Sequence, residues 1–167
     1  MEAVILIGIQ GSGKTTFYRQ RFFETHVRIS LDLVKTRRRE QALLDVCLRT
    51  GQRFVIDNTN VRAEVRARYI GPAKAAGFRV IGYFFETPLQ EALRRNRQRS
   101  GRAVIPVPGV IGTLKRLEPP AIEEGFDELY FVSHGERDEF VVTPANASSQ
   151  SSRQSNARGK PTRRPSP

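Results

Sequence analysis

Apolar residues along this chain come in short continuous runs separated by longer amphipathic stretches. Residues 3–7 are all apolar and stop at Gly8, the pattern of a strand buried on both faces. Residues 13–24 then read as a helix, 27–31 as a second short strand, and 33–49 as an amphipathic helix. That helix carries Leu33, Leu43, Leu44, Val46 and Leu48 among many charges and stops at Gly51. Phe54, Val55 and Ile56 predict a third strand closing on Asp57, and residues 63–76 a helix containing Pro72. A fourth strand is predicted over 80–85, and Pro88 stands where the next helix, 89–99, begins. Residues 101–108 read as a loop and 110–117 as a helix. Residues 129–132 and 140–142 predict two last strands joined around His134 and Gly135. Alternation of strand and helix implies an α/β fold, a parallel sheet covered by helices on both faces.

The pattern ends after Val142. Residues 143–167 contain no Ile, Leu, Phe or Val and are rich in Ser, Pro, Arg and Asn. Such a segment buries too little apolar surface to offset the entropy of ordering. We therefore expect one ordered domain over 1–142 and a disordered basic tail over 143–167. The net charge of the 167 residues is +11. The tail holds five of the 28 basic residues and no acid, so the body keeps 23 basic against 17 acidic residues. Most of the basic residues are Arg, whose fork matches phosphate and points to a polyanionic partner; codon bias accounts for the same count. The single cysteine excludes an internal disulfide framework and suits a reducing, cytoplasmic compartment. No apolar run approaches the roughly 20 residues of a membrane span, and the first residues lack the basic region of a secretory signal. Cys47 reads as a small core residue. His26 and His134 read as turn or surface residues without the paired spacing of a metal site.

The chemistry begins at the end of the first strand. Gly8-Ile9-Gln10-Gly11-Ser12-Gly13-Lys14-Thr15 fits G-x-x-x-x-G-K-[ST], with a predicted strand before it and a helix after it. Gly8, Gly11 and Gly13 let the backbone wrap a phosphate. The N–H groups of the loop, with Gln10, Ser12 and Thr16, and the helix N-terminus make the expected ATP site. Lys14 is expected at the β- and γ-phosphates, and the Thr15 hydroxyl on Mg²⁺. The pattern implies a nucleoside triphosphate and a metal; it does not name the acceptor.

Asp32 follows the second strand and Asp57 ends the third, and ligands of open parallel sheets bind beyond the carboxyl ends of the strands. One carboxylate can take the proton of an acceptor hydroxyl and the other can hold water on Mg²⁺. Each has a structural reading too, Asp32 as the N-cap of the helix starting at Leu33 and Asp57 as a turn residue. Further on, Arg94, Arg95, Arg97, Arg99 and Arg102 crowd one segment. Arg95 and Arg99 share a helix face, from which two guanidinium groups can close over a triphosphate, and the loop after them suits a lid. Lys35, Arg37, Arg38 and Arg39 form a second cluster beside Asp32, placed to contact the phosphates of an acceptor. A solvated basic face accounts for either cluster as well.

Together these segments resemble the kinase domain of the polynucleotide 5′-hydroxyl kinases, from the phosphate loop to about Phe131. The resemblance is carried by GIQGSGKTTF, by Ile29-Ser30-Leu31-Asp32 and by the run from Gly51 to Asn60 with its Asp57-Asn58-Thr59-Asn60. It continues through Arg66-Ala67-Arg68-Tyr69, Arg95-Asn96-Arg97 with Arg99, Ile105-Pro106-Val107 and Glu124-Gly125-Phe126. It implies that Asp32 is the general base, that Lys14 and Thr15 serve ATP and Mg²⁺, and that Arg95 and Arg99 are lid arginines. Lys35 falls where some relatives place an acceptor-binding Arg, and Leu31 where an Arg is common. Arg38, Asn58 and Thr59 complete the expected acceptor-side set, and Asp57 joins Thr15 as the expected metal pair. Many relatives also carry a phosphatase domain with a D-x-D-x-T motif; the motif does not occur in these residues, so no 3′-phosphatase activity is expected.

The expected function is thus transfer of the γ-phosphoryl group of ATP to a 5′-hydroxyl end of DNA or RNA, with no membrane and no obligate protein partner. The rival readings are a small-molecule kinase of the same fold and a nucleic-acid-binding ATPase without an acceptor. The tail is expected either to strengthen non-specific nucleic-acid binding or to solubilise.

Overall fold

The first apolar run forms β1, Glu2–Ile7, and its neighbours in space come from distant parts of the chain. The computed structural model describes residues 1–98, 104–135 and 139–145. The other strands are β2 (Val27–Ile29), β3 (Phe54–Asp57), β4 (Arg79–Phe85), β5 (Glu128–His134) and β6 (Phe140–Pro144). They make one six-stranded sheet in the order β2-β3-β1-β4-β5-β6. The first five are parallel, with Ile5 of β1 opposite Ile56 of β3 on one side and Gly82 of β4 on the other. β6 alone is antiparallel. Only residues 135–139 separate it from β5, too few for the crossover that a parallel pair needs.

The apolar runs are continuous because both faces of the sheet are covered. Ala3, Ile5 and Ile7 pack with Leu44, Cys47, Tyr69 and Ile70, whereas Val4 and Leu6 pack with Phe17, Val55 and Phe85. The helices are α1 (Lys14–Arg21), α2 (Leu31–Val34), α3 (Arg37–Thr50), α4 (Ala63–Ala75), α5 (Leu89–Arg97) and α6 (Val107–Lys115). Cys47 is a core residue, and burial pushes its thiol pKa up. Of the two histidines expected in turns or at the surface, His26 follows the turn after α1 and is buried against Phe22. Among the described residues no helix is long and apolar enough to cross a membrane.

Two departures from the sequence reading matter for the site. The helix expected over 33–49 is broken. Lys35 takes a left-handed φ of 68°, and Thr36 caps α3 by accepting the Arg39 N–H at 3.3 Å. Asp32 is therefore the second residue of α2, and Ser30 holds the N-cap position. The helix α6 also starts earlier than expected, at Val107, because Pro108 fits the first turn. The body reaches Pro144 through β6. Arg99, Arg102, residues 101–103 of the expected lid loop and the chain after residue 145 lie outside the described residues.

Candidate active site

The phosphate loop leaves β1 at Gly8, whose N–H donates to the Thr59 carbonyl at 2.9 Å, and enters α1 through Gly13. Gly11 and Gly13 have φ of 81° and 90°, the left-handed region. A Cβ on Gly11 would lie 2.3 Å from the carbonyl oxygen of Ala92 on α5, so the loop is pressed against its neighbour. The Lys14 ammonium is buried at the centre of the loop. It donates to the carbonyls of Gly8 (2.9 Å) and Ile9 (2.7 Å) and to Ser12 Oγ (3.2 Å). The Gln10 amide reaches α6, donating to Thr113 Oγ1 at 3.1 Å.

At the second residue of α1, the Thr15 hydroxyl donates to Asp57 Oδ2 at 2.9 Å. Asp57 is the buried last residue of β3, not a residue of the turn that follows it. The same oxygen accepts Arg28 Nε from β2 at 2.7 Å and lies 2.7 Å from Nη2 of that guanidinium in an ion pair. No hydrogen bond or ion pair among the described residues falls on Oδ1. A hydroxyl and a carboxylate side by side suit a hard dication that takes most of its ligands from water and phosphate oxygens. Among the described residues, no group of three or more His, Cys, Asp or Glu could hold a metal ion without such help. Arg28 carries no motif, and its place on Asp57 was not legible as one basic residue within a short strand.

Beyond the loop opens a cleft of about 560 Å³. Gln10, Gly13, Lys14, Thr15 and Thr16 line one side. Asp32, Lys35 and Arg37 line another, and Asp57, Asn58, Thr59 and Asn60 also contribute. Among the described residues, the two non-glycine positions with left-handed backbone, Lys35 and Asn60, both lie on this cleft. Asp32 is exposed, and its carboxylate has no partner among the described residues. The Lys35 ammonium bonds back to the Asp32 carbonyl.

The structure sorts the expected acceptor contacts. Lys35 and Thr59 line the cleft. Arg38 does not; it is exposed on α3, and Arg37 stands on the cleft. Asn58 lines the cleft with its amide already engaged. Its Oδ1 accepts the Leu31 N–H at 2.9 Å, and its Nδ2 donates to Glu40 Oε1 at 2.7 Å. Asn60 is anchored by donation from Nδ2 to the Leu6 carbonyl at 2.8 Å, while its buried Oδ1 has no partner.

On the far side of the loop, Arg95 donates from Nε to Glu91 at 2.6 Å. Its Nη1 lies 2.6 Å from Nε2 and 3.0 Å from Nδ1 of His134. His134 Nε2 lies 3.2 Å from the Ser12 carbonyl, and the ring packs where a Gly13 Cβ would stand. Thus Arg95 reaches the phosphate loop through His134, which the sequence reads as a turn or surface residue and which here ends β5 beside the loop. Hydrogen bonds from Arg94 and Arg95 hold the Glu91 pKa down at about 2. Asn96 pins the end of the lid segment, donating to the Ile105 carbonyl at 2.7 Å and accepting its N–H at 3.1 Å. Behind the cleft, the fully buried Arg66 pairs bidentately with Glu124 at 2.6 Å and donates to the Asn60 carbonyl at 3.0 Å.

Comparison with known proteins fits this geometry. The family profile described as an AAA domain matches residues 4–116. Kti12 of Chaetomium thermophilum, solved with ADP-AlF3, superposes with a TM-score of 0.63 at 16% identity, over 81% of this chain and 92% of that one. A gluconokinase from Sinorhizobium meliloti 1021 gives 0.58 at 15% identity, over 79% and 82%. A sugar kinase from Janibacter sp. HTCC2649 gives 0.60 at 17% identity, over 80% and 85%. At such identities the likeness is one of fold, and what those proteins act on is their own. With most of its length matched by the profile, the chain belongs to the AAA domain family and has the fold of a P-loop kinase.

Proposed function

We propose that this protein transfers the γ-phosphoryl group of ATP to the 5′-hydroxyl end of a nucleic acid. One observation carries the reading: the Asp32 carboxylate, unpartnered among the described residues, lines the same cleft as Lys14 and Thr15, with Lys35 and Arg37 on its own side. A P-loop binds the donor phosphates, an open carboxylate beside it accepts a proton, and cations on that side suit an acceptor that is itself a phosphodiester.

In the reaction, Asp32 takes the proton of the acceptor hydroxyl as its oxygen bonds to the γ-phosphorus. The bond from that phosphorus to the β–γ bridging oxygen breaks, and ADP leaves with the charge. A positioned general base of this kind contributes roughly 10²–10⁴-fold. Lys14 exchanges its loop carbonyls for phosphate oxygens and stabilises the charge that spreads over them. Thr15 and Asp57 would hold Mg²⁺, which supplies charge neutralisation on the β- and γ-oxygens when bound. Arg95, carried to the loop by His134, adds positive charge at the nucleotide side.

The test is incubation with γ-labelled ATP, a 5′-hydroxyl oligonucleotide, its 5′-phosphorylated twin, and a panel of sugars and nucleosides. Label on the 5′-hydroxyl oligonucleotide alone is the expected result. Label only on a small hydroxyl compound makes the protein a metabolite kinase. Release of phosphate stimulated by nucleic acid, with no labelled product, makes it an ATPase.

A further inference from the structure

The acceptor side of the cleft rests on one buried acid that the reaction does not touch. Glu40 lies on α3 at 4% exposure, in a run of basic residues where a solvated acid is the ordinary expectation. Every hydrogen bond to its carboxylate is donated to it. Oε2 accepts Arg37 Nη1 at 2.7 Å. Oε1 accepts Asn58 Nδ2 at 2.7 Å and the Tyr69 hydroxyl at 3.2 Å. Tyr69 in turn accepts Arg37 Nη1 at 2.9 Å. Burial and the Glu40 carboxylate hold the Tyr69 phenol pKa above its ordinary value, which keeps it a neutral donor. Asn58 continues the chain by accepting the Leu31 N–H, the first amide of the helix that carries Asp32.

We propose that Glu40 is a positioning residue that holds Arg37 and, through Asn58, the Asp32 helix in one register, so that an anionic group of the acceptor and its reacting hydroxyl are aligned together. The physical argument is economy of connection. α2 is a single turn of four residues, too short to hold its own place. Lys35 beside it is in a left-handed conformation that surrounding contacts must enforce. Arg37 is a long side chain, half-exposed, whose freedom is removed by its two acceptors. One carboxylate fixes both, and only a carboxylate can, since three donors converge on it. Asn58 thereby acts as the link, and Arg37 as the acceptor cation of this side. The inference rests on the reading of Asp32 as the acceptor base.

Glu40→Gln keeps the shape and turns one acceptor into a donor, so either Arg37 or the Asn58–Tyr69 pair loses its partner. Three measurements follow: acceptor kcat/KM, affinity for a fluorescent ADP analogue, and amide hydrogen exchange over residues 31–36. The expected result is an acceptor kcat/KM lowered about 10- to 100-fold, the cost of a misplaced reacting group. ADP affinity should stay within about twofold, since the P-loop makes no contact with Glu40. Exchange of the Leu31 amide should quicken. Tyr69→Phe removes a single hydroxyl, and gives the same pattern in weaker form should Glu40→Gln fail to fold. Unchanged acceptor kinetics and unchanged exchange in a folded variant overturn the proposal, as does an equal loss of ADP affinity. Should the unmodified protein phosphorylate no oligonucleotide, the functional reading fails by itself, and exchange at Leu31 still decides whether Glu40 holds the Asp32 helix.

Discussion

The two sides of the cleft are made by different means. The phosphate-loop side is local: Gly8 to Thr16 run without interruption from the end of a strand into the first turn of a helix, and its functional groups are backbone amides, one buried lysine and one hydroxyl. The Asp32 side is assembled from a distance, with Asp32 and Arg37 held by Glu40, by Asn58 from the loop after β3 and by Tyr69 from α4. A local side depends on conformations that only glycine adopts easily. An assembled side depends on complementary side chains, and can be retuned by changing one of them. Phosphate chemistry common to all acceptors belongs on the first, and recognition of a particular acceptor on the second.

That separation can be broken most forcefully at Lys14. Lys14→Ala is expected to lower transfer by about 10³-fold or more and to weaken nucleotide binding, while oligonucleotide affinity stays within about twofold. Nucleotide and oligonucleotide titrations of the same variant decide it; a parallel loss of both affinities would mean that the two sides are one unit. Gly11→Ala should cost about 2 kcal/mol in chemical denaturation, since the new Cβ meets the Ala92 carbonyl and the residue keeps a positive φ.

Smaller changes sharpen the contrast. Glu91 sits at the foot of the arginine segment with a pKa of about 2, against 4.5 in the unfolded chain. Because the folded value is the lower one, the stabilisation from its pairing with Arg94 and Arg95 is complete above pH 4.5 and is lost as pH falls toward 2. A stability profile across that window should be flatter for Glu91→Gln than for the unmodified protein. Least affected should be Arg38→Gln, with stability changed by less than about 0.5 kcal/mol and acceptor KM within about twofold, as befits an exposed residue off the cleft. A larger rise in KM would return Arg38 to the acceptor site.

The difference between the two sides also explains what could be read from the sequence. β1, β3 and β4 were plain as continuous apolar runs because both faces of each are covered, and the phosphate loop was plain because its geometry is encoded within eight adjacent residues. The helix break at Lys35 was hidden because periodicity runs across it; Thr36, a good N-cap inside a charged run, was the signal available. Within the basic cluster of Lys35, Arg37, Arg38 and Arg39, sequence alone did not separate Arg37, which lines the cleft, from Arg38, which does not. Glu40 gave no signal of its buried role, since an acid beside Arg37 reads as a solvated pair, and its other partners lie 18 and 29 positions away. Arg28 and His134 were missed for the same reason: each meets a residue distant in sequence, Asp57 at the end of β3 and Arg95 on α5.

The central claim is that Asp32 acts on the acceptor from a side that nucleotide binding does not need. Asp32→Asn keeps the size of the side chain and removes its capacity to take a proton. The decisive measurement is transfer of label to a 5′-hydroxyl oligonucleotide by this variant, with ADP affinity determined on the same sample. The account expects transfer to fall roughly 10²–10⁴-fold with ADP affinity unchanged within about twofold. Transfer at the unmodified rate, or a loss matched by lost ADP binding, would contradict it.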